Sequence, residues 1–430
     1  MKKVLRKTLI LLFWLALWLG LALAVDNSIL VATPLQTAER CLELLGTADF
    51  YRAVAGSLLR IGAGFLAGSC AAVLLAAAAG RSSFLEGLFA PAVGFLKAAP
   101  VASFVVVLLI WWGSSLLGVA VSFLVVLPNV YVNTLEGLKS VDRELLEMAG
   151  LFRLPGSSRL FYLYLPALKP FLYGSLKVSL GMCWKSGVAA EVIGTPACSI
   201  GGELYLSKVY LDTAGVFAWT AAVILLSALF EKLVLWLTER LFVLQPACRR
   251  PVGAGSGKEI GLTAEGVCKR FDGQQVLKDV NLVCRPGEIL YLRTPSGSGK
   301  TTLLRILAGL TPPDAGQVRT PAGVSMVFQE DRLCPGFSAV KNVELATGEE
   351  DRAREALLQV LEEEALDKPC GTLSGGMKRR VALVRAMEAD SAAVLLDEPF
   401  AGMDADTRAR AEAYVRERQK GRAILIATHV

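Results

Sequence analysis

The distribution of apolar runs is the feature that most constrains how this chain can fold. Long apolar runs crowd the part before about residue 240, whereas beyond residue 258 charged residues are frequent and apolar runs stay short. A helix needs about 20 mostly apolar residues to cross a bilayer. A hydrophobic content of 53% is also too high for two ordinary soluble domains. We therefore predict an all-α membrane domain over residues 1–244 and a soluble domain after it.

Six spans are predicted in the membrane domain, and the cationic loops between them indicate their orientation. The spans lie near residues 8–24, 60–80, 98–112, 115–136, 171–195 and 216–237. Lysines and arginines precede the first span, follow the second, fill the segment between the fourth and fifth, and follow the sixth. Because short cationic loops stay on the cytoplasmic side, the amino terminus is predicted to lie inside. Six crossings then return the chain to the cytoplasm, where the soluble domain would lie.

The first predicted span has an alternative interpretation as a cleavable signal peptide. A lysine-rich start, an apolar run and Ala22-Leu23-Ala24 together resemble such a signal. The apolar run from Leu9 to Val25 is somewhat long for a signal core, so a retained helix is favoured. Both interpretations leave the soluble domain in the cytoplasm, and topology therefore does not decide between them.

A flexible linker is predicted over residues 245–258, which are rich in glycine and proline and show no periodicity. A domain boundary belongs there, so that the soluble domain occupies residues 259–430. The nine cysteines of the chain are scattered without the spacing of metal ligands, and we expect neither a disulfide framework nor a zinc site.

A phosphate-binding loop is predicted between a strand and a helix of the soluble domain. The strand Glu288–Arg293 leads into a glycine-rich loop, and a helical pattern follows to Gly309. Backbone N–H groups of such a loop and of the helix N-terminus bind phosphates. Lys300 would reach the β- and γ-phosphates of ATP, and the Thr301 hydroxyl would bind Mg²⁺. The predicted nucleotide-binding residues here are Ser296, Gly297, Ser298, Gly299, Lys300, Thr301 and Thr302.

Thr294 departs from the phosphate-loop pattern, in which a glycine stands at this position. Glycine is usual there because it tolerates backbone angles that strain other residues. We therefore expect strain at the turn into the loop. Nucleotide binding should survive this strain, and hydrolysis should be the more sensitive step.

Three further motifs follow the phosphate-binding loop along the chain. They are Leu373-Ser374-Gly375-Gly376, Val394-Leu395-Leu396-Asp397-Glu398-Pro399 and Ala427-Thr428-His429. With the loop, this order and spacing resemble the ABC ATPase family over nearly all of residues 259–430. Asp397, at the carboxyl end of a strand, would hold the metal through water. Glu398 would orient the attacking water, because phosphoryl transfer chiefly needs positioning and charge stabilisation.

The resemblance to the ABC ATPase family also implies roles for residues that lie outside these motifs or at their ends. Gln329 matches the family's glutamine that contacts the γ-phosphate and the metal, and Phe271 matches the aromatic that stacks on adenine. His429, the only histidine, lies where the family has its switch histidine beside the γ-phosphate. Lys300, Glu398 and His429 are therefore the predicted catalytic residues. The family continues beyond the equivalent of Val430, so we expect either an incomplete chain or a minimal ATPase domain.

The resemblance also implies a nucleotide site shared between two chains. Ser374, Gly375 and Gly376 open a helix that would face the γ-phosphate bound by a partner subunit. Asp404 matches the loop that crosses between subunits. We therefore expect a homodimer or a paired half-transporter that binds ATP and Mg²⁺.

A cytoplasmic segment of the membrane domain resembles the coupling loop of ABC importer permeases. The matching residues are Glu147, Ala149, Leu163, Leu165 and Pro166. Met148 replaces the middle alanine of the family's pattern, and Arg153 stands where the family has a glycine. In the family this loop forms a short helix that docks in a groove of the ATPase.

Shorter stretches of the membrane domain resemble the nitrate/sulfonate/taurine branch of importer permeases. They are Ala98-Ala99-Pro100, Trp112-Gly113, Glu136-Gly137 with Val141-Asp142, and Ala190-Glu191-Val192-Ile193-Gly194. The resemblance covers roughly residues 50–240. It implies the type I ABC importer fold, followed here by an α/β P-loop ATPase.

These resemblances predict ATP-driven import of a small solute across the bacterial plasma membrane, with the ATPase in the cytoplasm. A separate extracytoplasmic binding protein is implied, the bilayer is the other partner, and no nucleic acid is expected. An exporter is the alternative, because fusion of permease and ATPase is more usual there. A nucleotide-binding regulator with weak hydrolysis is the third reading, given Thr294. The substrate stays open among sulfonates, nitrate, taurine and pyrimidine precursors, although Lys185 would suit an anion.

Overall fold

The structure is a computed structural model that describes residues 2–243, 248, 261–295 and 297–428. Contacts divide the chain into two compact units, Met1–Ser140 with Ala167–Leu244, and Val141–Pro166 with Gln245–Val430. The segment that resembles a coupling loop therefore packs with the part of the chain that is predicted to be an ATPase. Apart from Cys248, the predicted linker lies outside the described residues.

The secondary structure of the described residues before 244 is helical, as predicted. Its helices are α1 (Lys2–Val25), α2 (Pro34–Leu45), α3 (Ala48–Ala79), α4 (Ser83–Ala98), α5 (Val101–Trp112), α6 (Leu117–Lys139), α7 (Arg143–Leu151), α8 (Gly156–Arg159), α9 (Leu165–Gly194), α10 (Ile200–Val209) and α11 (Thr213–Val243). A π-helical turn, Leu160–Tyr164, joins α8 to α9.

Among the described residues, four helices are long and apolar enough to cross a membrane, and they match the first, second, fourth and sixth predicted spans. The third predicted span corresponds to α5, which has only 12 residues. It forms a pair with α4, bent by 101°, which makes a fifth crossing if the pair is one span. The fifth predicted span falls on α9, a 30-residue helix that does not qualify, because lysines and small polar residues dilute its apolar character.

Two glycines of α3 let it pack closely on α6. A Cβ at Gly64 would lie 2.3 Å from the carbonyl oxygen of Val119, and one at Gly68 would lie 2.9 Å from that of Phe123. The two glycines are four residues apart and therefore share one helix face. Small residues at this spacing are typical of close helix pairs in membranes, where packing replaces the hydrophobic drive for association.

A fully buried glutamate of α9 is ion-paired inside the helical unit. Glu191 Oε1 accepts a hydrogen bond from Arg60 Nε at 3.0 Å, and Oε2 accepts from Ser57 Oγ at 2.5 Å and from the Gly201 amide at 3.3 Å. A buried charge needs such partners, since an isolated carboxylate in a low-dielectric interior is costly. Glu191 thus ties α3, α9 and the start of α10 together.

The second unit is an α/β domain with two sheets. Its strands are β1 (Leu262–Phe271), β2 (Gln274–Cys284), β3 (Ile289–Arg293), β4 (Ala315–Arg319), β5 (Val324–Val327), β6 (Ala393–Asp397) and β7 (Ala423–Thr428). The helices are α12 (Lys300–Leu307), α13 (Ala339–Thr347), α14 (Glu350–Leu358), α15 (Glu363–Leu366), α16 (Gly375–Glu388) and α17 (Ala405–Glu417). Strands β2-β1-β4 form an antiparallel sheet, and β3-β7-β6-β5 form a parallel sheet.

The parallel sheet brings the predicted motifs to one edge. Its strands β5, β6 and β7 are almost entirely buried, as expected for apolar strands covered on both faces. Carboxyl ends of parallel strands meet at the same side of the sheet, where ligands of such folds bind. The phosphate-binding loop follows β3, Gln329 follows β5, and Asp397 ends β6. These residues therefore lie on loops that share one edge.

Candidate functional site

The phosphate-binding loop depends on two glycines whose backbone angles favour glycine. Gly297 has φ of +81° and Gly299, which precedes α12, has φ of +84°. An added Cβ at Gly299 would also lie 2.6 Å from Leu277 Cδ2 of β2, so the loop is held against the antiparallel sheet. Ser296, another predicted nucleotide-binding residue, lies outside the described residues.

Lys300 and Thr294 are both bonded within the loop. The buried Lys300 ammonium donates to the carbonyl oxygens of Thr294 and Pro295. Thr294 has no positive φ, and its hydroxyl is 2.7 Å from Ser298 Oγ. The strain expected from a side chain at position 294 is therefore not found, because this turn does not use the left-handed region.

Asp397 has the chemistry of a metal ligand. It is 1% exposed, and burial raises the pKa of its carboxyl group, while a hydrogen bond with the Thr301 side chain acts in the opposite direction. Its Oδ2 is buried and has no hydrogen-bond partner among the described residues. A buried carboxylate oxygen left open beside a threonine hydroxyl fits Mg²⁺, which takes oxygen ligands and retains several waters.

Glu398 follows Asp397 with an unusual backbone conformation. Its φ is +48°, in the left-handed region that costs a non-glycine residue about 1–3 kcal/mol. Its amide donates to the Ala427 carbonyl oxygen at 2.9 Å, and its own carbonyl oxygen accepts from Arg379 Nε at 3.0 Å. Strained backbone persists only where neighbours fix it, so this glutamate is held from both β7 and α16.

Gln329 and Phe271 are associated with strands of different sheets of the unit. Gln329 follows β5, and its carbonyl oxygen accepts from Arg379 Nη1 at 3.1 Å. Phe271 ends β1, is 47% exposed, and has the Lys269 ammonium 5.5 Å from its ring centroid. An exposed aromatic face can stack on a base. Phe271 pairs with Gln274 at the start of β2, the strand whose Leu277 contacts the phosphate-binding loop.

The residues expected to face a partner subunit lie together at helix N-termini. Ser374 caps α16, accepting from the Met377 amide at 3.4 Å, and is exposed with Gly375. A Cβ at Gly376 would lie 3.0 Å from the Gly402 carbonyl oxygen, so this turn contacts the segment before Asp404. Asp404 caps α17 through two oxygens, and hydrogen bonds from the Thr407 amide and hydroxyl lower the pKa of its carboxyl group.

His429 lies outside the described residues. The strand before it, β7, pairs with both β3 and β6, with Thr428 opposite Arg293 and Ala427 opposite Asp397. The end of β7 is therefore flanked by the strands that carry the phosphate-binding loop and Asp397.

The segment Val141–Pro166 docks through a carboxylate held by two arginines. Glu147 of α7 lies 2.8 Å from Arg332 Nη1 and 3.2 Å from Arg305 Nη2, and Glu144 lies 3.7 Å from Arg332 Nε. Burial alone would raise the pKa of Glu147, but the two guanidinium groups lower it overall. Ala149, the next matching residue, is fully buried.

Aromatic contacts extend this docking along the segment. The Arg385 guanidinium lies 5.1 Å from the centroid of the Phe152 ring, and the rings of Tyr162 and Phe337 are 5.2 Å apart. Leu165 and Pro166 begin α9, directly after the π-helical turn. Arg153, where the resembling family has glycine, has φ of +53°.

The sequence analysis missed the arginines that connect these parts. They are Arg305 on α12, Arg332 three residues after Gln329, and Arg379 on α16. Arg332 is 5% exposed on its side chain and lies 4.1 Å from the Phe328 ring, although nothing in its local pattern marks it as buried. The only sequence feature that could have indicated a role for Arg332 is its position three residues after Gln329.

Comparison with known protein families finds two matches along the chain. Residues 64–243 match the family of the binding-protein-dependent transport system inner membrane component, and residues 277–401 match the ABC transporter family. Both matches occur in one polypeptide and fall on its helical and α/β parts respectively.

Curated relatives match the ATPase part. The aliphatic sulfonates import ATP-binding protein SsuB 1 of Pseudomonas fluorescens is 45% identical over 168 residues, which are 38% of this chain and 65% of the relative. SsuB 2 of Pseudomonas syringae is 45% identical over 38% of this chain and 61% of the relative, so the chain spans less than two thirds of either. SsuB 1 of Nocardia farcinica is 41% identical over 40% of this chain and 74% of its own length.

Solved structures of ATP-binding cassettes are also similar to this chain. The dimeric ATP-binding cassette MJ0796 bound to ADP and phosphate aligns with 39% of this chain and 88% of its own, at 29% identity and a TM-score of 0.36.

Proposed function

This chain belongs to the ABC transporter family, and on that premise we propose that it is a permease fused to its ATPase and that it imports a small solute. The observation that carries the proposal is the docking of Glu147 on Arg305 and Arg332. Through it, a segment of the permease sequence packs with the ATPase unit. A movement of the loop that carries Gln329 and Arg332 would then be transmitted through Glu147 to the permease.

In this proposal the chain's own residues bind and position ATP. Gly297 and Gly299 allow the loop to wrap the phosphates, and Lys300 exchanges its contacts with loop carbonyls for the β- and γ-phosphates. Glu398 orients the attacking water. Phe271 stacks on adenine from the exposed end of β1. Hydrolysis by such a site relies on positioning and charge stabilisation rather than on covalent chemistry.

Mg²⁺ is proposed as the metal of this site. Thr301 and Asp397 would hold it, with Gln329 from the loop after β5, and when bound it would neutralise charge on the phosphates. The buried, unpartnered Oδ2 of Asp397 supports this assignment. His429 is proposed to contact the γ-phosphate from the end of β7.

Two chains are proposed to pair, since Ser374 and Gly375 are exposed at a helix N-terminus that suits a phosphate of a partner's ATP. The proposed permease domain covers residues 1–244, the linker residues 245–258, and the ATPase domain residues 259–430. The multi-pass permease is proposed to lie in the bacterial plasma membrane, with its ATPase in the cytoplasm. A separate extracytoplasmic binding protein would deliver the solute. Since the curated relatives are named for aliphatic sulfonates, this class is the first to test.

The test is ATP hydrolysis by the purified chain in lipid nanodiscs, beside Glu398→Gln. A sulfonate-binding protein from the same bacterium is added with and without an aliphatic sulfonate. We expect turnover that Glu398→Gln abolishes and that the loaded binding protein stimulates. Turnover indifferent to any binding protein would favour an exporter. Bound ATP without turnover would contradict an ATP-driven transporter and favour a regulator.

A further inference from the structure

A single buried guanidinium, that of Arg379 on α16, joins the loop of Gln329 to the end of β6. Its Nη1 donates to the carbonyl oxygens of Phe328 at 2.6 Å and Gln329 at 3.1 Å. Its Nη2 donates to the carbonyl oxygens of Asp397 at 2.6 Å and Glu398 at 3.0 Å. Nε donates to the Glu398 carbonyl oxygen as well, at 3.0 Å.

The side chain is only 5% exposed, and the Asp331 carboxylate forms an ion pair with it. Asp331 Oδ1 is 3.1 Å from Nη1. The fork of a guanidinium presents five N–H donors in a rigid plane, so one Arg379 fixes the relative position of two loops. An ammonium group has no such fork.

The elements that meet at Arg379 are those expected to contact ATP from different sides. Gln329 follows β5, Asp397 ends β6, and Glu398 comes directly after it. Arg379 itself lies five residues after Ser374, on the helix whose N-terminus would face a partner's nucleotide. A shift of any one of the three would therefore be felt by the other two through the same group.

The contact between Arg379 and the Glu398 carbonyl oxygen bears on the backbone conformation of Glu398. Its φ of +48° is unfavourable for a glutamate, and the surroundings must hold it. Three hydrogen bonds that could do so are its amide to Ala427 and the two from Arg379 to its carbonyl oxygen. Loss of the Arg379 bonds would free the peptide after Glu398 to leave the left-handed region and would redirect its carboxylate.

We propose that Arg379 is a positioning residue for hydrolysis, which holds Glu398 in its strained conformation and fixes its distance from Gln329. The inference rests on the proposed function, because Glu398 and Gln329 take their roles from it. It adds a residue that contacts neither nucleotide nor metal. Arg379 should therefore affect the rate of hydrolysis far more than the binding of ATP.

The experiment compares Arg379→Gln and Arg379→Lys with Arg422→Gln in nanodiscs. Arg422 is a matched control, because it is 7% exposed and donates to backbone carbonyl oxygens of Met387 and Gln419, away from the site. We expect Arg379→Gln to lower kcat at least about 30-fold with KM for ATP within about threefold, since misplacing catalytic groups costs transition-state rather than ground-state interactions. Arg379→Lys should recover part of kcat, and Arg422→Gln should change kcat less than about threefold.

A second readout does not depend on turnover. In Arg379→Gln, backbone amides of residues 328–331 and 397–399 should exchange hydrogen faster than in the wild type, because this variant loses the hydrogen bonds between the two loops. In Arg422→Gln, exchange in these two segments should stay unchanged. If kcat falls no more than in Arg422→Gln, or if both segments keep their protection, the inference is wrong. If the wild-type chain fails to hydrolyse ATP, the proposed function fails, whereas the exchange result still decides the role of Arg379.

Discussion

Arg153 and Thr294 both stand where the resembling family has glycine, but the backbone angles of the two residues differ. Arg153 has φ of +53°, whereas Thr294 avoids positive φ and bonds to Ser298. Of these two residues, only Arg153 therefore has an unfavourable, left-handed backbone conformation. The sequence marks both departures equally, because a motif records a residue type and not the backbone angle that the neighbouring chain imposes.

Arg153→Gly is expected to stabilise the chain by about 0.5–1 kcal/mol, since relief of a left-handed arginine outweighs the added freedom of the unfolded chain. The measurement is the thermal unfolding of the ATPase unit in the full-length protein. Arg143→Gly is the control, because Arg143 begins α7 and glycine lowers helix stability there. A lower unfolding temperature for Arg153→Gly would contradict the strain argument.

Asp397→Asn should raise the stability of the nucleotide-free protein by about 1 kcal/mol while it abolishes hydrolysis, because an open buried carboxylate is costly until a cation binds it. Burial raises the pKa of Asp397, so its contribution to stability falls as pH rises through that pKa in the folded state. Unfolding is followed from pH 3.5, below the ordinary pKa of 3.8, to pH 8, with and without Mg²⁺ and ATP. Equal stabilisation of both proteins by Mg²⁺ and ATP would show that Asp397 does not hold the metal.

At the scale of elements, the strand–loop motifs could be predicted because their chemistry lies in contiguous residues. The all-α part followed by an α/β ATPase is confirmed. The bend between α4 and α5 could not be predicted, since hydropathy does not distinguish a bent pair from one span, whereas the lysines and polar residues of α9 are visible in the sequence. Arg332 and Arg379 were missed for a different reason. Their burial comes from tertiary contacts between elements far apart in the sequence.

Gly64→Ala should destabilise the helical unit by about 1–3 kcal/mol, because the added Cβ must push α3 away from the Val119 carbonyl oxygen. Gly87→Ala on α4 is the matched control, since nothing lies within 4 Å of an added Cβ there. Unfolding in mixed detergent micelles provides the measurement. If both variants unfold alike, close packing of α3 on α6 is not what Gly64 provides.

Docking of α7 on the ATPase unit should depend on pH through Glu147. Because Arg332 and Arg305 lower its pKa below the ordinary 4.5, its contribution is complete above that value and is lost as pH falls through the lowered pKa. As pH falls from 6 to well below 4.5, fluorescence of a probe on α7 should report undocking in the wild type. Glu147→Gln should be weakly docked at every pH, and an identical transition in that variant would exclude Glu147 as its cause.

At the scale of the whole molecule, the exposed Ser374 and the buried Lys300 are proposed to serve different ATP molecules. Each site then takes its phosphate-binding loop from one chain and its Ser374 helix from the other. Pairing a Lys300→Ala chain with a Ser374→Arg chain leaves one intact site, since the two changes fall together on the second site. Pairing a wild-type chain with the double variant damages both sites, although the dimer carries the same two changes.

Doubly tagged heterodimers of the two kinds are purified, and their ATP hydrolysis is compared with the wild-type dimer. A shared site predicts activity up to about half of wild type for the first pairing and near none for the second, because rate follows the number of complete sites. Sites built within single chains predict the reverse order. The comparison is decisive because folding losses from Lys300→Ala and Ser374→Arg are equal in both dimers, so only their arrangement differs.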